Sequence, residues 1–561
     1  VVVKTGADVL VETLIRCGVR KVFGVPGGPL LALLDRLHHE PDLEFVLARH
    51  EEGAVFMAEG YAQTSGRLGV ACVTSGPGAM HALTATASAT SDGVPLLLLS
   101  GQPPVARFGQ GALQDSSGGN WSADVVETLR SATKMSTLVT DVRQLAFMAT
   151  RAIGAATAPV PGASHLSCAT DVLTAPASAA PPRFVPVVSP MRVAADEVQT
   201  LAQALQRARH PVVLAGQGAK LARAHDPLLA VAERLSLPVA TTLKGKSVFP
   251  ERHALSLGVF GMYGASHTAH DSLLTDEVDL LLVLGSSLGE VATAGWDRRL
   301  IASRTIWQVD ADVRQLGRGM PIDHALHCDV RALLEDLLAC ALPQIPARTA
   351  PLAPHTPVPL TPAEALKGSQ VAAILDHRLP RDTLLFVDNG NALCWIGEHY
   401  RSGDGREMYC SLNVGCMGYA LPAAIGARVA RPDRPVLAVM GDAAFAMTCS
   451  EIHTAVQEGI PSAWLVFNNQ GNAMVANLQE LMYERVTGSM YSHPIDAAAV
   501  ARGFGARAIT VRDAPTLESA LDEVFKATAT GSVPYLLDVY VDPYEMGWSL
   551  RARAESLAGG S

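Results

Sequence analysis

Clustered charge is scarce in this sequence. Only 17% of its 561 residues are Asp, Glu, Lys or Arg, and the net charge of −10 is spread without a long run of either sign. A surface that reads phosphate backbones needs grouped Lys and Arg, so nucleic-acid binding is not expected. Cysteine pairing is missing as well. The nine cysteines fall singly, with no C-x-x-C, which argues against a zinc site or a disulfide scaffold. No apolar run approaches the ~20 residues that cross a bilayer; VPLLLL (94–99) and LLLVL (280–284) are far shorter. No signal-like segment opens the sequence. With unpaired thiols, the expectation is a cytoplasmic protein that makes no membrane contact.

What is present is apolar and segmented. Residues of hydrophobic type make up 48% of the chain, enough for several buried cores, and the length favours about three or four domains. Two stretches, TAPASAAPPRFVPVVSP (174–190) and LPQIPARTAPLAPHTPVPLTP (342–362), are rich in proline. Proline cannot continue a helix interior or a central strand, so both read as semi-extended linkers. They divide the chain into parts at 1–175, 186–342 and 363–547. Each part alternates short apolar strands with helix-length amphipathic runs: KVFGVPGG and GVACVTSGPGA in the first, HPVVLAGQGA and VDLLLVLGSS in the second, TLLFVDNGNA and VLAVMGDAAF in the third. The expected fold class is α/β, as three consecutive open, mostly parallel sheets. Ligands of such sheets bind beyond the carboxyl ends of the strands.

The strongest constellation is MGDAAFAMTCSEIHTAVQEGIPSAWLVFNNQGNAM (440–474). A strand runs into Gly441-Asp442-Ala443, and after 24 further residues a second strand ends at Asn468-Asn469-Gln470-Gly471. Two strand ends thus offer a carboxylate and an amide oxygen, hard donors that suit a magnesium or calcium ion. The small residues after Asp442 leave backbone N–H groups free to approach phosphate. Either dipeptide alone is an ordinary turn signal; the interval carries the information. A second conspicuous stretch, RHEEGAVFMAEGYA (49–62), sets Glu51 and Glu52 before an alanine-rich run. Acids in a first helical turn are favoured by the macrodipole by roughly 0.3–1 kcal/mol and need no other purpose.

These motifs together resemble the thiamine-diphosphate-dependent superfamily that includes acetohydroxyacid (acetolactate) synthase large subunits, over nearly the full length. GVPGGPLLALLDRL (24–37), HEEGAVFMAEGYAQTSGRLGV (50–70), TSGPGA (74–79) and DGVPLLLLSGQ (92–102) follow its pyrimidine-binding domain in order. NVGCMGYALPAAIGA (413–427) and the 441–471 motif follow its diphosphate-binding domain. The resemblance implies that Glu51 is the acid that hydrogen-bonds the aminopyrimidine and so allows the thiazolium C2–H to be deprotonated at neutral pH, which demands a buried, tuned carboxyl. Glu52 stays a helix-start acid on the wetter side.

The resemblance further implies Met417 under the bend of the folded cofactor, with the Gly415 backbone on the pyrimidine edge. Gly390, Asn391, Ala392, Ala443 and Ala444 lie against the diphosphate. Asp442, Asn469 and the Gly471 carbonyl ligate Mg2+, with Gly441 and Met474 flanking them. Gly28 and Gln114 face the substrate. Active sites of the superfamily form between subunits, so a homodimer or homotetramer is expected. The implied activity is decarboxylation of a 2-oxo acid, pyruvate, with ligation of the two-carbon unit to a second carbonyl compound. A non-ligating decarboxylase or C–C lyase is the alternative of the same superfamily, and a catalytically silent cofactor-binding subunit that of another class.

Three segments depart from the synthase pattern. GSSLGEVATAG (285–295) lacks the arginines of the G-x-R-F-D-D-R segment that accompanies FAD, so FAD is not expected. Leu478 stands where biosynthetic synthases carry a tryptophan four residues beyond the Met474 position. VDNGNA (387–392) replaces V-G-Q-H-Q. His50, His81, His38 and His39 read as unpaired or solvated, and Cys416 as a small buried thiol.

Overall fold

The computed structural model describes residues 3–177, 189–264, 268–340, 365–550 and 554. The linker expected at 342–362 lies outside the described residues, as does most of that at 174–190. The described chain forms three six-stranded sheets in which every pairing is parallel. The α/β reading of the sequence is correct.

The first sheet runs Glu44–Leu47, Lys21–Gly24, Gly69–Val73, Leu96–Gln102, Ala163–Ala169, Met135–Val139 from edge to edge. The third runs Glu407–Tyr409, Leu384–Val387, Val436–Gly441, Ala463–Asn468, Tyr535–Tyr540, Arg507–Val511. Taken in chain order, both have the strand sequence 2-1-3-4-6-5, so the two outer thirds repeat one topology. The middle sheet places Ser256–Phe260, Val239–Thr242, Pro211–Ala215, Leu280–Leu284, Thr305–Asp310 and His324–His327 side by side. Its order, 3-2-1-4-5-6, is that of dinucleotide-binding folds.

The central strands are apolar at consecutive positions because helices cover both faces. Every residue of Leu96–Gln102 and of Ala463–Asn468 is buried. The outer thirds meet through helix Glu51–Ser65 and helix Ala420–Ala430, which share one core with Phe56, Tyr61, Tyr419 and Ile425. Glycine permits the approach: a Cβ on Gly60 would fall 2.0 Å from the Ala423 carbonyl oxygen, and one on Gly426 1.8 Å from that of Met57.

In each outer sheet the strand order reverses between its first and third strands, and ligands of open α/β sheets bind at such switch points. In the first sheet that crevice is flanked by the loops after Gly24 and Val73; in the third, by the loops after Val387 and Gly441. Among the described residues no helix is long and apolar enough to cross a membrane.

Candidate active site

The switch point of the first sheet gathers Gly28, Glu51 and Gln114 around one loop, Thr74–Gly78. The Gly27-Gly28 turn abuts it so closely that a Cβ on Gly27 would lie 2.2 Å from Thr74 Oγ1, whereas Gly28 faces open space. Gln114, at φ +60, accepts hydrogen bonds from Thr74 Oγ1 (3.3 Å) and Ser75 Oγ (3.4 Å). Glu51 opens its helix and is only 9% exposed. Its Oε2 accepts from His81 Nδ1 at 3.0 Å, and its Oε1 would be 3.1 Å from a Cβ on Gly78.

His50 caps the same helix, its Nδ1 accepting from the Glu52 N–H at 3.2 Å. Its ring stacks on that of His81 with centroids 4.8 Å apart. Sequence reading left these histidines separate, because 30 residues divide them; the adjacency of the two strand-end loops brings them together. Burial lowers the His50 pKa, His81 adds to that, and Glu51 opposes it. His50, Glu51 and His81 have ligand atoms within 4.8 Å of one another, yet His50 Nδ1 and Glu51 Oε2 are already committed to protein partners. Glu52 is half-buried, and burial raises its carboxyl above the usual range.

The third sheet carries the second cluster. Asp442, at the end of Val436–Gly441, is fully buried; Oδ1 accepts from the Ala443 N–H at 3.1 Å, while Oδ2 has no hydrogen-bond partner among the described residues. Burial pushes its carboxyl up to about 7 against the pull of the Ala443 and Gly471 N–H groups. Asn469 Oδ1 lies 2.9 Å from Asp442 Oδ1 and 3.2 Å from the Gly471 carbonyl oxygen. Three oxygens this close repel one another unless the Asn469 amide turns over to donate or a cation stands among them. With Mg–O bonds of ~2.0–2.1 Å, neighbouring octahedral ligands are about 3 Å apart, so the donor set fits magnesium. Asn468, by contrast, is structural: its Nδ2 donates to Asp538 Oδ1 (2.9 Å) and the Ile495 carbonyl (2.8 Å).

A cradle lies beside these oxygens. Gly441 faces open space, and so does Gly390, whose φ of +120 suits glycine. Asn391 and Ala392 begin helix Asn391–His399, with Asn391 Nδ2 buried and without a hydrogen-bond partner among the described residues. Ala443 and Ala444 begin Asp442–Thr448, and Met474 lies half-buried in Ala473–Tyr483.

Two residues passed over in the sequence organise the loop that bears Gly415 and Met417. Asp388 accepts from the N–H groups of Gly418 (3.1 Å) and Ala420 (2.9 Å), and burial raises its carboxyl to about 7. Asn389 Nδ2 donates to the carbonyls of Ser411 (2.6 Å) and Cys416 (2.7 Å). Gly415 and Gly418 adopt φ of +78 and +85, leaving Met417 half-buried between them. The Cys416 thiol is pushed up to about 12 by burial, so it is no nucleophile near neutral pH. Tyr491 also went unnoticed; its hydroxyl pKa is raised by burial and by the charge of Asp442.

Within one chain, among the described residues, no hydrogen bond or ion pair joins Glu51 to Gly415, Met417, Asp442 or Asn469; its bonded partner is His81. Beside Glu51 the outer thirds are joined through Glu451, which accepts from the backbone N–H groups of Arg49 (3.1 Å) and His50 (2.8 Å).

Comparison with known proteins matches residues 4–120 to the thiamine pyrophosphate enzyme N-terminal TPP binding domain, 198–337 to the central domain and 388–539 to the C-terminal TPP binding domain. The chain is 32% identical to the acetolactate synthase large subunit of Parasynechococcus marenigrum, over 96% of this chain and 87% of that protein. It is 30% identical to the large subunit of Lactococcus lactis, over 96% and 93%. The large subunit of acetolactate synthase isozyme 1 of Escherichia coli is also 30% identical, over 96% and 94%.

Proposed function

The chain belongs to the thiamine pyrophosphate enzymes, and from that premise we propose that it decarboxylates a 2-oxo acid, pyruvate, and joins the two-carbon unit to a second carbonyl compound, as the name of its acetolactate synthase relatives describes. The observation that carries this reading is the convergence of the Asp442 carboxylate, the Asn469 side-chain amide and the Gly471 carbonyl, at 2.9 and 3.2 Å, beside an open glycine cradle. Asp442, Asn469 and the Gly471 carbonyl would hold Mg2+, with the backbone of Gly390, Asn391, Ala392, Ala443 and Ala444 toward the diphosphate and Gly415 and Met417 toward the pyrimidine. Thiamine diphosphate held there would supply a nucleophilic carbon and a sink for the electrons released with carbon dioxide.

The chain's own contribution begins at Glu51. Its Oε2 is taken by His81, so Oε1 is the oxygen left to share a proton with the aminopyrimidine. Burial excludes water from that exchange and strengthens the hydrogen bond. Gly28 leaves room for the substrate, and Gln114 reaches over Thr74–Gly76 toward it. FAD has no part in this reading, because segment 285–295 carries no arginine to meet it. Leu478 gives the acceptor a pocket without the bulk of tryptophan.

The working unit is a homodimer or a homotetramer, with Glu51 of one subunit serving the cofactor of another. Support comes from the lack of any bond between Glu51 and the oxygen cluster within one described chain, and from exposed apolar side chains beside both clusters: Leu113 and Trp121, Met447, Val475 and Tyr483. The chain divides at 1–175, 186–342 and 363–547, and it works in the cytoplasm. A second reading, a decarboxylase that releases aldehyde, is favoured by the His50–His81 stack beside Glu51, since a stacked histidine could return a proton to the product.

Purified protein supplied with thiamine diphosphate, Mg2+ and pyruvate tests both. Carbon dioxide together with acetolactate, reduced about 100-fold or more by Glu51→Gln and unaffected by added FAD, is the expected result. Acetaldehyde in place of acetolactate would establish the second reading. Turnover that survives Glu51→Gln would overturn the assignment of the acid.

A further inference from the structure

Where the three sheets' flanking elements meet there is a cavity of about 430 Å³, walled by the end of helix Glu51–Ser65, by helix Gln217–Leu221 and by strand Glu407–Tyr409. It is set apart from Glu51 along that helix. Helix Glu51–Ser65 has 15 residues, so its cavity end stands about 20 Å from Glu51.

The walls are strongly basic. Arg67, Lys220, Arg223, Lys244 and Arg431 line the space, and Glu407 is the one carboxylate among the described lining residues. Three of these charges are already answered: Lys244 pairs with Asp92, Arg431 with Asp433, and Glu407 with Arg434, which is not on the wall. Arg67, Lys220 and Arg223 have no carboxylate within 4.0 Å among the described residues. Lys220 Nζ rests on the Met408 carbonyl and 4.0 Å over the Tyr409 ring centroid. Arg223 holds a φ of +52, a backbone rare for arginine, and its guanidinium fills the space above Gly66, where a Cβ would meet Nη2 at 2.0 Å. His225 Nε2 on the same wall is buried and has no hydrogen-bond partner among the described residues.

An unanswered cation in a recess is costly unless something negative joins it; Lys220 is the partly buried one of the three, while Arg67 and Arg223 reach solvent at the rim. Burial, helped by the charge of Lys244, brings the Lys220 ammonium down to about 8, although Glu407 pulls the other way. Glu407, the carboxylate on the wall, is already held by Arg434 and by the Tyr409 hydroxyl.

We propose that this cavity binds a phosphorylated small molecule through a phosphate or diphosphate group. Its volume is within the ~300–1,000 Å³ typical of small-molecule sites. Three unpaired cations match the charge of a diphosphate, and an arginine fork suits phosphate oxygens in paired hydrogen bonds. Because the walls come from all three thirds of the chain, the ligand ties them together and raises the melting temperature of the folded chain.

Pyrophosphate and ADP are the probes, titrated calorimetrically into the full chain carrying Asp442→Asn, in EDTA, so that the candidate cofactor site takes no part. Binding with a raised melting temperature is expected, weakened on the order of tenfold or more by Arg223→Gln or Lys220→Met. Arg223→Lys, which keeps the charge, should restore part of the affinity. Absence of binding at millimolar probe, or affinity indifferent to both substitutions, overturns the proposal. Arg223 is exposed, so Arg223→Gln provides a readout even if Lys220→Met fails to fold.

Discussion

Asn469 Oδ1 stands 2.9 Å from Asp442 Oδ1, and the two residues close neighbouring strands of the third sheet. An amide oxygen and a carboxylate oxygen do not settle at that distance without something positive between them or a turned amide. If the site is built for Mg2+, both side chains matter through their oxygens. Asp442→Asn and Asn469→Ala should each weaken Mg2+-dependent binding of thiamine diphosphate about 100-fold or more, because loss of an outer-shell partner alone costs ~10–100-fold. Equilibrium dialysis with and without Mg2+ reads the effect. Asn468→Ala should instead lower stability, since its Nδ2 ties Asp538 to the Ile495 carbonyl.

The separation of Glu51 from the oxygen cluster within one chain makes a subunit-mixing prediction. Glu51→Gln and Asp442→Asn proteins, each inactive alone, are co-refolded in equal amounts. If every site takes Glu51 from one subunit and Asp442 from its partner, each hybrid dimer has one site with both residues intact. Random pairing makes half of the dimers hybrids, so about a quarter of the wild-type activity should return. Recovery at the background level would place each site within one chain.

Helix Glu51–Ser65 reaches its position by close contact with helix Ala420–Ala430. Gly426→Ala puts a methyl 1.8 Å from the Met57 carbonyl oxygen, which neither backbone can accommodate without moving. A loss of about 1–3 kcal/mol or more in unfolding free energy is expected, measured by urea denaturation. Gly503→Ala is the control: a Cβ there meets nothing within 4 Å, so it should be neutral or slightly stabilising.

Much of this arrangement could be read before any coordinates. Short apolar runs closed by Gly or Asp gave the parallel strands, and the interval from Asp442 to Asn469 gave the oxygen pair, because both are local patterns. Asp388, Asn389 and His81 were not legible. Asp388 acts on N–H groups 30 and 32 residues away, and His81 meets Glu51 across 30 residues. Such contacts depend on which strands become neighbours, and no periodicity encodes that. The cationic cavity is hidden for the same reason: Arg67, Lys220 and Arg431 are ordinary surface residues in a linear reading.

His165 supplies the pH dependence. It is fully buried in strand Ala163–Ala169, with Nε2 2.8 Å from Ser100 Oγ and Nδ1 2.9 Å from Ser136 Oγ. Burial lowers its pKa from 6.5 to about 3, so the folded chain keeps it neutral while the unfolded chain protonates it below about 6.5. Between those values the unfolded state binds the extra proton, and stability therefore rises with pH across the window and is lost as pH falls through it. One such group contributes a slope of up to about 1.4 kcal/mol per pH unit. His165→Gln keeps a polar side chain between the serines and removes the titration. Urea unfolding followed from pH 6.5 down to 4 should show a shallower loss in this variant than in wild type. Equal slopes would mean that His165 already takes up its proton in the folded chain.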